Sequence, residues 1–325
     1  MPRVDLRAVP LLDIASYGRL GPGRSPLSKA EIDHISRTIR RVPEVMIKVS
    51  GGARSLRGVE SHLDYIGRQG EGEIGTDDGR LLREKGFERE LLRDWDLDLD
   101  ADRRHTERAI AAGRRPSKLV HNLVFSMPKG TPPHKLLAAV RVFAREKFAL
   151  QHRYLMALHT DQGHPHVHVV VRAMSERGER LNIRKATLRE WRRDFAQHLR
   201  DMGVEANATE RAVRGQTKPP KRDGIHRAQS RGNSSYDDRR ARQVARELRE
   251  GGLEPQEGRL TLMQTRQAVL NGWLRLAYLL AKDGRAQLSA QVAKFVGSMP
   301  PPQTEKELIA DRIRSGVRTI GDQTR

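Results

Sequence analysis

Apolar positions along the chain fall into segments of two different periods. Residues 45–50 (VMIKVS) form a short β-prone run closed by Gly51 and Gly52. From Leu56 the spacing becomes helical: Leu56, Val59, Leu63 and Ile66 share one stripe, with Gly67 and Gly70 marking its end. Residues 119–126 (LVHNLVFS) read as a strand. Thr131, Pro132 and Pro133 then open a helix carrying Leu136, Val140, Phe143 and Phe148. Residues 154–159 and 166–174 read as two further strands. Thr187 with Glu190 has the form of a capping box ahead of a stripe of Leu188, Trp191, Phe195 and Leu199. Strand, helix, strand, strand, helix in this order predicts an α+β fold with a central antiparallel sheet flanked by helices. Farther on, Val269, Trp273, Leu276 and Leu280, then Leu288, Val292 and Phe295 up to the prolines at 300–302, predict a small all-α tail.

Breaks in the pattern give the expected domain boundaries. Residues 1–43, rich in Gly, Pro, Arg and Ser, read as a loosely ordered basic arm with room for one short helix. Residues 44–215 form the main domain, residues 216–236 a basic linker and residues 237–325 the helical tail. Within the main domain, residues 70–118 are a polar insert. Its acidic run places Asp96, Asp98, Asp100 and Glu107 near calcium-loop offsets. Ala101 at the sharp-turn position and Arg104 at the ninth argue instead for a solvated lead-in to a helix beginning near Asp102.

Composition narrows the partners. Among the 325 residues, 61 Lys and Arg against 41 Asp and Glu give a net charge of +20. Such an excess points to a polyanion, of which nucleic acid is the obvious class. The absence of cysteine excludes a disulfide scaffold and a thiolate metal site, and fits a reducing compartment. No apolar run reaches the length of a spanning helix, so membrane insertion is not expected, and the basic start lacks the apolar stretch of a secretory signal.

The densest chemistry lies in residues 158–171 (LHTDQGHPHVHVVV). On a strand, His166 and His168 share one face while Val167, Val169 and Val171 share the other, which should pack on helices. Two imidazoles at this spacing suit one metal ion, and a hairpin through residues 160–165 brings in His159 as a third ligand. Asp161 is placed to orient an imidazole or to act as a base. His164 is a fourth ligand or a hydrogen-bonding neighbour. By ligand type, such a site admits Zn²⁺ or Ni²⁺.

Five tyrosines are present. On the helix from Leu56, Tyr65 falls roughly 140° from the centre of the apolar stripe, at the end of the element, so its phenol is free to be presented or to pack under the neighbouring loop. Tyr154 and Tyr278 read as packing residues, and Tyr236 lies in the basic linker.

Together these motifs resemble the relaxases of conjugative and mobilisable plasmids within the HUH endonucleases, in the MOB-P branch that contains the Ti-plasmid border-nicking enzyme. Residues 62–70 (HLDYIGRQG) look like the tyrosine motif, 120–131 (VHNLVFSMPKGT) like the second motif, and 159–171 like the histidine motif. The resemblance covers about residues 45–215. It implies a metal-dependent transesterase that nicks and rejoins single-stranded DNA at a transfer origin. Tyr65 would be the nucleophile, Ser126 would hold the DNA near the cleavage point, and Mg²⁺ or Mn²⁺ would sit on the histidines. It also implies Arg68, Lys129, Arg172 and Arg184 as candidates for DNA contact, accessory origin-binding proteins and a type IV secretion coupling protein as partners, and the bacterial cytoplasm as location. A rolling-circle replication initiator uses the same histidine pair with its tyrosine downstream, where only Tyr236 would serve. A histidine–metal hydrolase would form no covalent adduct, and a non-catalytic DNA-binding protein would leave the histidine register without a purpose.

Overall fold

The computed structural model describes residues 27–68, 73–82, 86–95, 100–161, 163–217 and 235–316. They divide into two units, residues 41–208 and a helical unit built from the chain before and after them.

The first unit is a six-stranded sheet in the order β1 (Met46–Gly51), β4 (Val120–Ser126), β6 (His166–Arg172), β5 (Tyr154–His159), β2 (Ile74–Thr76), β3 (Leu81–Leu82). Every pairing is antiparallel. This is the α+β fold that the hydrophobic pattern predicts. Period-two alternation splits the sheet into two faces with different covers. On one face, Val167, Val169 and Val171 join Ile47, Leu123 and Phe125 beneath α5 (Pro133–Phe148) and α6 (Lys185–Asp201). There the rings of Phe143 and Phe195 lie 5.0 and 5.1 Å from that of Phe125. On the other face, Val120, Leu155, Ala157 and Val170 pack under α2 (Leu56–Ile66) and α3 (Phe87–Asp94) through Val59, Leu63, Ile66, Phe87 and Leu91.

The polar insert is more ordered than its composition suggests. It supplies β2, β3, α3 and α4 (Asp100–Ala111), and Ile74, Phe87, Leu91, Leu92 and Trp95 from it enter the second core. Strands of three and two residues carry too little periodicity to be read from sequence. Of the acidic run, Asp96 and Asp98 lie outside the described residues, and α4 begins at Asp100 rather than at Asp102. α6 likewise begins two residues ahead of Thr187, whose hydroxyl accepts from the backbone N–H of Arg184 at 3.4 Å.

In the second unit, the short helix for which the basic arm leaves room is α1 (Lys29–Ile39), closed at its start by a capping box of Ser28 and Glu31. Leu27 and Ile35 from that segment share a core with Val213, Val269, Trp273, Leu276, Leu280, Val292 and Phe295. Most of that core comes from α8 (Arg259–Lys282) and α9 (Ala286–Gly297). Trp273 Nε1 donates to the Val213 carbonyl at 2.8 Å. Tyr278, read as a packing residue, is exposed instead, because α8 buries only its Val269–Trp273–Leu276–Leu280 side. α7 (Ser235–Arg249) and α10 (Glu305–Arg314) complete the unit.

Because Phe125 is fully buried between two aromatic rings, Phe125→Ala is expected to destabilise the protein by about 3–5 kcal/mol in denaturant unfolding. A loss below about 1 kcal/mol would contradict this packing.

Candidate active site

The site forms where the histidine-bearing face of the sheet runs out from under α2. β5 and β6 pair so that His159 lies directly opposite His166, and Ala157 opposite His168. Gly163, at φ +72, takes a left-handed conformation in the connection between them that a residue with a side chain adopts at a cost. On the other side of β6, Ser126 lies opposite His166 and Val124 opposite His168. Directly opposed residues of antiparallel strands share a face, so Ser126, His159, His166 and His168 stand together.

One nitrogen from each of the three imidazoles lies within 4.8 Å of one on each of the others, and all three residues are buried. The ring centroids are 4.6 to 5.3 Å apart. The second nitrogens are largely accounted for. His159 Nε2 donates to the carbonyl of Ile66, the last residue of α2, at 2.8 Å, and His166 Nδ1 donates to the carbonyl of His164 at 3.1 Å. These bonds fix each ring's tautomer and leave the other nitrogen with a lone pair, the usual arrangement around a metal. Among the described residues, His168 Nδ1 is buried without a partner. That is an uncompensated cost of about 1–3 kcal/mol, which ligation at this nitrogen removes. Burial, followed by the proximity of the His159 and His166 rings, pushes the His168 imidazole down to about 3. Burial also lowers His159. These two imidazoles are thus held in the neutral form that metal binding requires. This donor set fits a divalent ion.

Tyr65 stands beside the cluster. Val59, Leu63 and Ile66 of α2 are fully buried, whereas Tyr65 keeps 58% of its surface exposed. Its ring meets that of His168 edge-on at 6.2 Å. His62, one helical turn earlier, stacks on the phenol with ring centres 6.3 Å apart and lies 6.4 Å from His168. Burial lowers its imidazole, and among the described residues its Nε2 has no hydrogen-bond partner. The sequence reading missed His62, although its position three residues before Tyr65 places the two on neighbouring parts of one helix surface.

The remaining predicted residues divide. Asp161 orients no imidazole; the backbone carbonyls of Ile66 and His164 do that. Its carboxylate instead pairs with Arg68 at 2.5 Å. Slight desolvation works against the shift, but its own backbone N–H and the Arg68 guanidinium hold Asp161 below the usual carboxylate value. Arg68, just after α2, adopts φ +51, a left-handed conformation that non-glycine residues seldom take. The side chain of His164 is exposed and outside the triad; its contribution is the carbonyl. Lys129 and Arg184 are exposed, in the loop after β4 and at the turn before α6. Arg172 is a correction: it is buried at the other end of β6, roughly 20 Å along the strand from His166, with its guanidinium on Glu176 at 3.2 Å. Tyr236 belongs to α7 in the other unit, and its hydroxyl donates to Glu305 at 3.2 Å.

Sheet order, histidine triad and adjacent phenol are the features that the comparisons with known proteins bear on. Residues 65–204 match the family of MobA/VirD2-like relaxase nuclease domains. Among curated proteins, the chain is similar to the T-DNA border endonuclease VirD2 of Agrobacterium fabrum, 27% identical over 196 residues, or 54% of this chain and 42% of that protein. It is similar also to the VirD2 proteins of Rhizobium radiobacter, 27% identical over 54% of this chain and 44% of that protein, and of Rhizobium rhizogenes, 28% identical over 39% and 30%. The family match takes in Tyr65 and the three histidines, so the similarity falls on the part of the chain that holds the site. The chain spans less than half the length of these relatives.

The two strongly shifted imidazoles set an acid limit on stability. His168, and likewise His121, which burial and then Lys118 and Arg180 push down to about 4, stay neutral in the fold but protonate near pH 6.5 once unfolded. The unfolded state binds more protons below that point, so their contribution to stability is present above about pH 6.5 and lost as pH falls. In chelator, the Tm should fall between about pH 7 and pH 5, and replacing both residues with Gln should flatten the slope. An identical slope in the double variant would contradict the shifts.

Proposed function

We propose that this chain nicks and rejoins one strand of DNA at a transfer origin by tyrosine transesterification. The observation that carries this reading is the exposed Tyr65 phenol standing 6.2 Å, ring to ring, from a buried three-histidine cluster. Tyr65 Oη attacks the scissile phosphorus and the bond to the 3′ oxygen breaks, leaving a 5′-phosphotyrosyl link and a free 3′-hydroxyl that takes up a proton. Because one phosphoester replaces another, the reverse attack rejoins the strand.

His159, His166 and His168 would hold the ion, Mg²⁺ or Mn²⁺ by the family's habit, and the ion would supply Lewis-acid polarisation of the phosphate's non-bridging oxygens. Ser126, half-buried beside His166, is placed to hold the phosphate next to the break. Exposed Met46, opposite Ser126 on the edge strand, extends the same face toward solvent and gives the DNA a path in.

A phenol has an ordinary pKa near 10, so its proton needs an acceptor. Asp161, held low by Arg68, is a weak base already engaged in an ion pair. His62, neutral and stacked on the ring with a free nitrogen, is the better acceptor. The substrate is a single strand at an origin. Accessory origin-binding proteins, a secretion coupling protein and a bacterial cytoplasmic location follow from the same reading. No helix among the described residues is long and apolar enough to cross a membrane.

The test combines the protein, Mn²⁺ and labelled single strands from origin DNA on a denaturing gel, with adducts mapped by mass spectrometry. An adduct on Tyr65, absent in Tyr65→Phe and in chelator, is expected. Cleavage without an adduct would contradict the reading and favour a metal hydrolase. His62→Gln should slow adduct formation by roughly 10²- to 10⁴-fold with Mn²⁺ affinity little changed, and should cost more than Asp161→Asn. The reverse order would return the proton to Asp161.

A further inference from the structure

Outside the nuclease domain, α7 carries two faces of opposite character. Its packing face turns the buried Val244 toward α10, where Arg240 pairs with Glu305 at 3.6 Å and Glu247 with the buried Lys306 at 2.7 Å. At 100° per residue, Arg239, Arg242 and Arg246 fall within about 60° of one another and point some 160° away from Val244. With Ser235 and Gln243 they line an open groove. All three are exposed, and among the described residues none pairs with a carboxylate or donates a side-chain hydrogen bond. Arg240 on the same helix is paired, and Arg249 donates to the Ala245 carbonyl.

Guanidinia at i, i+3 and i+7 repel one another, and such spacing weakens a helix unless an anion lies across it. The three spread over about 10 Å of helix axis, which matches about three phosphates of a stacked strand. Serine and glutamine at the rim are side chains that also bond phosphate oxygens. The groove has no apolar residue to enter a bilayer, as a membrane-surface helix requires.

We propose that this face of α7 binds the phosphodiester backbone of single-stranded DNA, as a sequence-independent contact in the helical unit. The inference rests on the chain being a DNA-processing enzyme, but it needs no cleavage. Anisotropy of a labelled oligothymidine, measured in EDTA with the full chain, therefore tests it separately from the tyrosine chemistry. A failure of Tyr65 to form an adduct leaves this measurement standing, and the converse holds too.

Between about 50 and 200 mM salt, the variant R239Q/R242Q/R246Q should bind with a log–log salt slope shallower by about 2, at about 0.7 per phosphate. At about 0.1 M salt the affinity loss should be roughly 10- to 100-fold. The matching triple Lys variant should keep the slope, which separates lost charge from a lost fold. An unchanged slope in the Gln variant would overturn the proposal. So would an unchanged slope together with lost sedimentation on phosphatidylserine vesicles, which would assign the face to a membrane surface.

Discussion

The pairing of His159 with His166 across the β5–β6 hairpin is the constraint on which the site depends. A shift of one residue in that register would turn His159 to the face occupied by α5 and α6 and put a valine-packing position toward the open side. The register is held from both sides. Val167, Val169 and Val171 are committed to the Phe125 core, and β4 pairs with β6 from Val120↔Arg172 to Ser126↔His166 without a break. The imidazoles are thus placed by apolar side chains pointing the other way, and no strong interaction among the histidines is needed to gather them.

The second constraint is the length of α2. This helix covers the histidine face over Val170, Ala157 and Leu155 and stops at Ile66, whose carbonyl accepts the hydrogen bond of His159 Nε2. Its last turn delivers Tyr65 and His62 to the margin of the triad. Hydrophobic burial on one side of α2 therefore fixes the position of the Tyr65 phenol on the other. Arg68, in its left-handed conformation after the helix, returns a guanidinium to Asp161 and ties the end of α2 to the hairpin.

Much of this was legible in the sequence because it follows from local period. The span of α2 and the strand at 154–159 agree with the structure to the residue, and the alternation of His166, Val167 and His168 predicts which face carries the imidazoles. The wheel position of Tyr65 takes it out of the apolar stripe, and the structure decides between presentation and packing by leaving it exposed. What could not be read depends on partners distant in the chain. Arg172 looks like any basic residue at a strand end until Glu176 and the sheet bury it. Asp161 looks like an imidazole partner until Arg68 arrives. α1 reads as an arm because the partners of Ile35 lie more than two hundred positions away, on α8 and α9. β2 is held by pairing with β5 and β3 by pairing with β2, not by any pattern of their own.

The family match over residues 65–204 covers Tyr65 and the three histidines, so the proposed chemistry turns on whether three imidazoles meet one ion. Pulsed EPR of the full chain loaded with Mn²⁺ reads this directly, since each coordinated imidazole nitrogen modulates the electron spin echo. Nitrogen modulation from three imidazoles is expected, reduced in each of His159→Ala, His166→Ala and His168→Ala. A signal free of imidazole nitrogen, or one unchanged when His159 is removed, would contradict it.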